Sequence, residues 1–192
     1  FSYLNDGPLD MSMGEDGRSV RQLISTGSER EIGRVIRDFG EERRYRAVAR
    51  EIVRERERGP VTGTHHLRRA VERALPEKGR MSSLSRVFQA FRIWSNEELE
   101  SLEDFLPQAL DLLRPGGRLV VISYHSLEDR IVKRFMKREE EGCVCPKEFP
   151  ECRCGKTSRV KIITRRPVRP SQREMAENPR ARSARLRAAE RI

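Results

Sequence analysis

No apolar run in the sequence approaches the length needed to cross a bilayer, which excludes a helical membrane span and makes a membrane partner unexpected. The chain has no charged start followed by an apolar segment, so no secretory signal is read, and a cytoplasmic protein is the default. It opens on Phe1 rather than on Met, and residue 1 is therefore not expected to be the natural start. No internal repeat is visible. Cysteine is confined to four residues between Cys143 and Cys154, and none of them forms a Cys-x-x-Cys pair. In a reducing compartment this argues against disulfides and against thiol redox chemistry, and it leaves metal binding or idle thiols.

What the sequence does have is charge. Hydrophobic and charged residues each make up 36% of its 192 residues, enough for one ordinary domain or two small ones with a thin core and much charged surface. A helical, surface-rich protein fits that balance better than a β-sandwich. The net charge is +10, and twelve Lys/Arg stand against three Glu between Lys156 and Ile192. Before that stretch, 28 basic residues meet 27 acidic ones, so the excess is assigned to the C-terminal tail. A local basic segment favours a polyanion such as nucleic acid, and the plainer alternative is a solvated tail.

Residues 1–17 read as an ordered loop of the core. Ser28-x-x-Glu31 is a capping box before a helix whose Ile32, Val35, Ile36 and Phe39 share one face, and Gly40 ends it. A second helix is expected from about Glu41 to Arg58, stopped by Gly59-Pro60, and a third from Thr64 to Pro76. Residues 18–92 thus read as a helical domain, with interleaved acids taken to pair its many Arg. Asn96 is placed as the cap of a long helix to Leu113, kinked or divided at Pro107. After the Arg114–Gly117 turn, the continuous apolar run Leu119–Ile122 reads as a strand buried on both faces, as in a parallel sheet. A helix follows from Ser126, for which Ser126 and Asp129 make a Ser-x-x-Asp cap. The succession of helix, turn, buried strand and helix indicates an α/β fold over 93–192, with a cysteine loop at 143–154. The chain's end favours helix by propensity. Its alternation of Ala184, Leu186 and Ala188 against Arg185 and Arg187 nevertheless predicts a strand over Ala181–Ala189, with Val160–Thr164 as partner.

Four segments, in order, carry a resemblance. They are Asp6–Met11; Phe88–Ile93; Pro115–Leu119 running on to Ile122–Arg130; and Asn178–Ala184. The His125–Arg130 run together with Asn178–Ser183 makes the match specific. The chain resembles the RsmH/MraW family of bacterial ribosomal RNA cytosine methyltransferases along essentially its whole length. Ser12, Gly14 and Ser82–Leu84 depart from the family's usual residues.

The resemblance implies a Rossmann-like class I methyltransferase sheet with an inserted all-helical domain. It further implies transfer of a methyl group from S-adenosylmethionine to the exocyclic amine of a cytidine in the decoding region of small-subunit ribosomal RNA. The small ribosomal subunit is then the partner, and DNA is not expected. A Rossmann-like donor site needs a Gly-rich turn after its first strand and an acid after its second. Neither is read in this chain, because Gly116-Gly117 precede a strand. The donor segment is therefore expected upstream of Phe1, and this chain alone is expected to be inactive. The alternative is a non-catalytic RNA-binding module with a basic tail and a zinc loop.

An aromatic amine is a poor nucleophile, so transfer needs alignment, an acceptor for its N–H and a path for the lost proton. Asp10, His125 and Ser126 are the catalytic candidates; the resemblance places the opening loop beside the cofactor pocket, where either Asp6 or Asp10 can orient the amine. The same residues also read as turn formers and helix caps. Arg92, Arg130, Asn178, Arg180 and Arg182 are the RNA-binding candidates. Cys143, Cys145, Cys152 and Cys154 can hold a structural zinc, with Cys-x-Cys spacing tighter than the usual one.

Overall fold

The computed structural model describes residues 5–14, 17–143, 145 and 153–192. The chain divides into two compact units, residues 1–98 and 99–192. It is a mixed α/β protein with many helices and a small sheet.

Unit 1 is helical, with α1 (Val20–Thr26), α2 (Glu29–Gly40), α3 (Tyr45–Arg58), α4 (Thr64–Ala74) and α5 (Arg80–Asn96). Ser28 caps α2 through the expected box: its hydroxyl accepts from Glu31 N, and the Glu31 carboxylate accepts from Ser28 N at 2.8 Å. The apolar stripes of α2, α3, α4 and α5 close one core around Ile32, Ile36, Val48, Ile52, Leu67 and Phe91. At Gly40 the two helices α2 and α5 come so close that a Cβ would fall 2.6 Å from the Arg86 carbonyl oxygen. The opening loop, expected in the methyltransferase core, packs into this helical core through Leu9 and Met11, both 1% exposed. It is tied down by Leu9 N to Thr62 O at 3.0 Å and Thr64 N to Gly7 O at 2.9 Å.

Two buried carboxylates brace the helices. Glu55 on α3 meets Arg58, Arg69 and Arg73. Glu42 accepts from Arg44 N at 2.9 Å and pairs with Arg86 of α5. Burial pushes both carboxyls up, but the arginines and hydrogen bonds outweigh it and hold them below the ordinary glutamate value.

Asn96 does not cap the next helix. It ends α5, donating to Arg92 O and Met11 O and accepting from Met13 N, and Glu97 in the left-handed region breaks the chain there. The helical stretch thus runs four residues past the expected boundary at 92. α6 (Glu98–Leu112) then continues through Pro107 without division.

Unit 2 adds β1 (Arg118–Ser123), α7 (Ser126–Glu140), β2 (Val160–Ile162), α8 (Gln172–Glu177), a 3₁₀ turn (Pro179–Ser183) and β3 (Arg185–Arg191). β3 lies between β1 and β2 and is antiparallel to both, with Val121 opposite Arg187 and Ile162 opposite Ala189. Gly116, at φ 82°, turns the chain into β1, and its N–H reaches Arg191 O at 2.7 Å. One face of the sheet packs Leu119, Val160 and Ala189 against Leu106 and Leu110 of α6 and Val132, Phe135 and Met136 of α7.

Two expectations change in part here. Among the described strands β1 pairs with β3 alone, antiparallel, and Val120 and Ile122 are 52% and 53% exposed, so the described residues bury one of its faces. The terminal strand exists against its helix propensity and pairs with Val160–Ile162 as expected, but it starts at Arg185. Residues 179–183 form a 3₁₀ turn instead, because Pro179 sets the turn and Asn178 caps it by accepting from Arg180 N at 3.2 Å.

Candidate functional site

The candidate site of unit 2 forms where β1 ends and α7 begins. The strand delivers Tyr124 and His125 to the helix N-terminus. His125, not Ser126, is the N-cap: its Nδ1 accepts from Glu128 N at 3.3 Å. The Glu128 carboxylate returns the bond, accepting from Tyr124 N at 2.8 Å and His125 N at 3.2 Å. Burial pushes the Glu128 carboxyl up, yet the His125 ring and these N–H groups outweigh it and leave it below the ordinary value. His125 Nε2 lies 3.2 Å from Glu128 Oε1 but in no hydrogen-bond geometry, and the buried Ser123 Oγ also has no hydrogen-bond partner among the described residues. Buried polar atoms without partners are uncommon, and they concentrate where a ligand completes the set.

Asp129, expected to pair with Ser126 in the cap, instead faces the sheet. It grips Arg187 through two bonds, Nε to Oδ1 at 2.6 Å and Nη2 to Oδ2 at 3.2 Å, and takes Arg185 at 3.1 Å. Asp129 and Arg187 are both buried. Burial pushes the Asp129 carboxyl up, but the two guanidinium groups hold it below the usual aspartate value. This clamp locks α7 onto β3 and sets the height of Arg185.

A cleft of about 230 Å³ opens here, lined by Tyr124, His125, Ser126, Arg169, Arg182, Ser183, Ala184 and Arg185. It therefore joins three predicted residues, His125, Ser126 and Arg182, and adds Arg169 and Arg185. Those two went unread because an arginine in a basic tail carries no local signal of its destination. Arg180 and Asn178 are exposed on the turn beside Arg182, and Arg130 is exposed on α7.

In unit 1, Asp6 accepts from Gly7 N at 3.0 Å and lies 2.7 Å from His65 Nδ1; the His65 bond is the main cause holding its carboxyl below the ordinary value. Asp10 is exposed and accepts from Ser12 N at 3.1 Å. Arg92 is engaged by Glu98 through two bonds, at 2.8 and 3.0 Å.

A second basic surface also went unread. Nineteen Lys/Arg stand against ten Asp/Glu between residues 18 and 92, so the positive excess is not confined to the tail. Arg30, Arg34, Arg37, Arg46 and Glu29 surround a cleft of about 610 Å³ with Gly33 and Tyr45. Arg37 and Arg46 lie 5.8 and 5.5 Å from the Tyr45 ring centre.

Cys143, Cys145 and Cys154 bring their sulfurs within 4.8 Å of one another, while Cys152 lies outside the described residues. No helix among the described residues is long and apolar enough to cross a membrane.

Comparison with known proteins places this geometry in a family. The model of the MraW methylase family matches residues 1–192. Proteins named ribosomal RNA small subunit methyltransferase H are similar over the whole of this chain: 49% identical in Carboxydothermus hydrogenoformans, 50% in Geobacter sulfurreducens and 50% in Thermomicrobium roseum. The chain spans 63%, 63% and 60% of the length of those relatives. The chain belongs to the MraW methylase family.

Proposed function

We propose that this chain is part of an S-adenosylmethionine-dependent enzyme that methylates the exocyclic amine of a cytidine in the decoding region of small-subunit ribosomal RNA. The small ribosomal subunit is its partner and the cytoplasm its place of work. The observation that carries this reading is the cleft at the carboxyl end of β1, where Arg169, Arg182 and Arg185 line one space with His125 and Ser126, in a chain of a methylase family. The same reading takes residues 99–192 as part of a Rossmann-like sheet and 18–92 as a helical domain inserted in it. The all-helical character of the second and the α/β character of the first support it.

Among the described residues no strand leads into a Gly-rich turn of the kind a Rossmann-like donor site uses. The donor does not fit the described residues, so only the substrate side is derived. We accordingly expect the isolated 192-residue chain to show no micromolar donor binding in a calorimetric titration, and such binding would refute this reading.

Because Nδ1 of His125 accepts the Glu128 N–H, the neutral ring carries its proton on Nε2. The ring is then a donor and not the base that takes the amine proton; with Glu128 Oε1 3.2 Å from Nε2, a cytosine acceptor would share that N–H with the carboxylate. In unit 1, Asp10 stands as a catalytic candidate in its own right, with an exposed carboxylate that accepts from Ser12 N. Asp6, held by His65, shapes the turn. Arg169, Arg182 and Arg185 meet backbone phosphates, which position RNA without reading its sequence.

The test uses full-length protein and unmethylated small subunits. His125→Ala is expected to lower kcat roughly tenfold or more with RNA affinity nearly kept. Joint Arg169→Ala and Arg182→Ala is expected to weaken RNA binding and flatten its salt dependence by about 0.7 per phosphate no longer neutralised. Unchanged kcat in the first and an unchanged salt slope in the second would remove the cleft from the reaction.

A further inference from the structure

The segment between α7 and β2 is long for a connection, and its ends are fixed. Arg159 N bonds Glu139 O at 2.9 Å, and the Lys156 ammonium bonds Arg138 O, so the returning chain is sewn to the end of α7. Between these ties, the described residues bring three sulfurs together. Cys154 Sγ lies 3.8 Å from Cys143 Sγ, and all three Sγ atoms of Cys143, Cys145 and Cys154 fall within 4.8 Å of one another.

That spacing distinguishes two chemistries. A disulfide needs its sulfurs about 2.05 Å apart. Four thiolates around a zinc ion at about 2.3 Å each stand about 3.8 Å apart along the edges of the tetrahedron. The Cys154–Cys143 separation of 3.8 Å, which as thiols they span with an S–H···S hydrogen bond, is far too long for a disulfide and matches that edge.

The backbone points the same way. Cys145 N lies 3.4 Å from Cys143 Sγ, and Arg153 N lies 3.4 Å from Cys145 Sγ, both as hydrogen bonds. Main-chain N–H groups aimed at sulfur favour the thiolate over the thiol and fix its direction, as the outer groups of a metal centre do. Gly155, at φ 61°, turns the chain immediately after Cys154 in a conformation that side chains rarely adopt. Soft thiolate donors select zinc over magnesium or calcium, which need oxygen.

We propose that Cys143, Cys145 and Cys154 hold a structural zinc ion that staples the loop between α7 and β2. The three thiols give up their protons on binding. These three thiolates leave one corner of the tetrahedron to a further ligand. The ion touches no part of the cleft chemistry assigned above; its work is to give fixed form to a loop with few apolar residues to bury.

Full-length protein purified without chelator and without a histidine tag should contain about one zinc per chain by elemental analysis. Cys143→Ser, Cys145→Ser and Cys154→Ser should each lower that content several-fold. Cobalt(II) added to the stripped protein should give the intense near-ultraviolet band of thiolate-to-cobalt charge transfer, and zinc should abolish it. Where a serine variant fails to fold, the unmodified protein decides: its clustered thiols should resist a thiol reagent until a chelator is added. Protein with no zinc and fully reactive thiols, a disulfide among these cysteines, or iron in place of zinc would each overturn the proposal.

Discussion

At the scale of single residues, the clearest consequence concerns Asp129. Its carboxylate and the Arg187 guanidinium are each under 10% exposed, and they share two hydrogen bonds. Removing one partner of such a pair leaves an uncompensated buried charge. Asp129→Asn is therefore expected to destabilise the protein by about 3 kcal/mol in urea denaturation. The sign with pH follows from the depressed carboxyl. Its stabilisation is present above the unfolded value of about 3.9, and it is lost as pH falls through the lower folded value. Acid unfolding of the parent should therefore steepen below about pH 4, and the variant should lack that part of the slope. The sequence showed Asp129 but not its partners. Ser-x-x-Asp is a common cap, and nothing local says that the turn comes one residue earlier, at His125. Likewise Asn96 has the right side chain for an N-cap, but Met11 and Met13, distant in sequence, claim it.

At the scale of elements, what could be read depended on whether the deciding contacts were local. The α2 cap was legible because Ser28 and Glu31 supply both halves of it. Ser28→Ala should cost about 1 kcal/mol of stability by calorimetric or denaturant unfolding, and a loss below about 0.3 kcal/mol would mean that the box contributes little. The strand β3 was legible from alternation, since Leu186 and Ala188 share one face while Arg185 and Arg187 turn to Asp129. β1 gave no such alternation. Its Val120 and Ile122, exposed in this chain, are as apolar as its inward Leu119 and Val121, so the period of two vanished into a continuous run. The candidate cleft suffered a related loss: His125, Ser126 and Arg182 could be picked from their motifs, whereas Arg169 and Arg185 reach it only through the fold.

At the scale of the whole molecule, the near-balance of 28 basic and 27 acidic residues before Lys156 hides a regional excess. The acids that balance the total lie outside residues 18–92, which keep a large basic excess of their own. Two separate arginine-lined clefts follow, one around Tyr45 and one beside His125. If both meet RNA, joint Arg34→Ala and Arg37→Ala should reduce the salt slope of RNA binding by about 0.7 for each phosphate left without its arginine, while kcat at saturating RNA stays near that of the parent. An unchanged slope would return this face to a solvated surface.

The order of the strands in the sheet has a consequence for the chain as it is made. The central strand is the last of the three in sequence, and β1 pairs with it across as many as 72 residues, as at Arg118 and Glu190. Neither outer strand pairs with the other among the described residues. During synthesis β1 and α7 therefore leave the ribosome before residues 185–191, which supply β1's partner among the described strands. Such distant pairing folds slowly and leaves a bare edge in the interval. Loss of only the final strand would strip β1 and β2 of the neighbour they share among the described strands, so a late stop or frameshift is expected to yield an aggregation-prone product rather than a slightly shortened one.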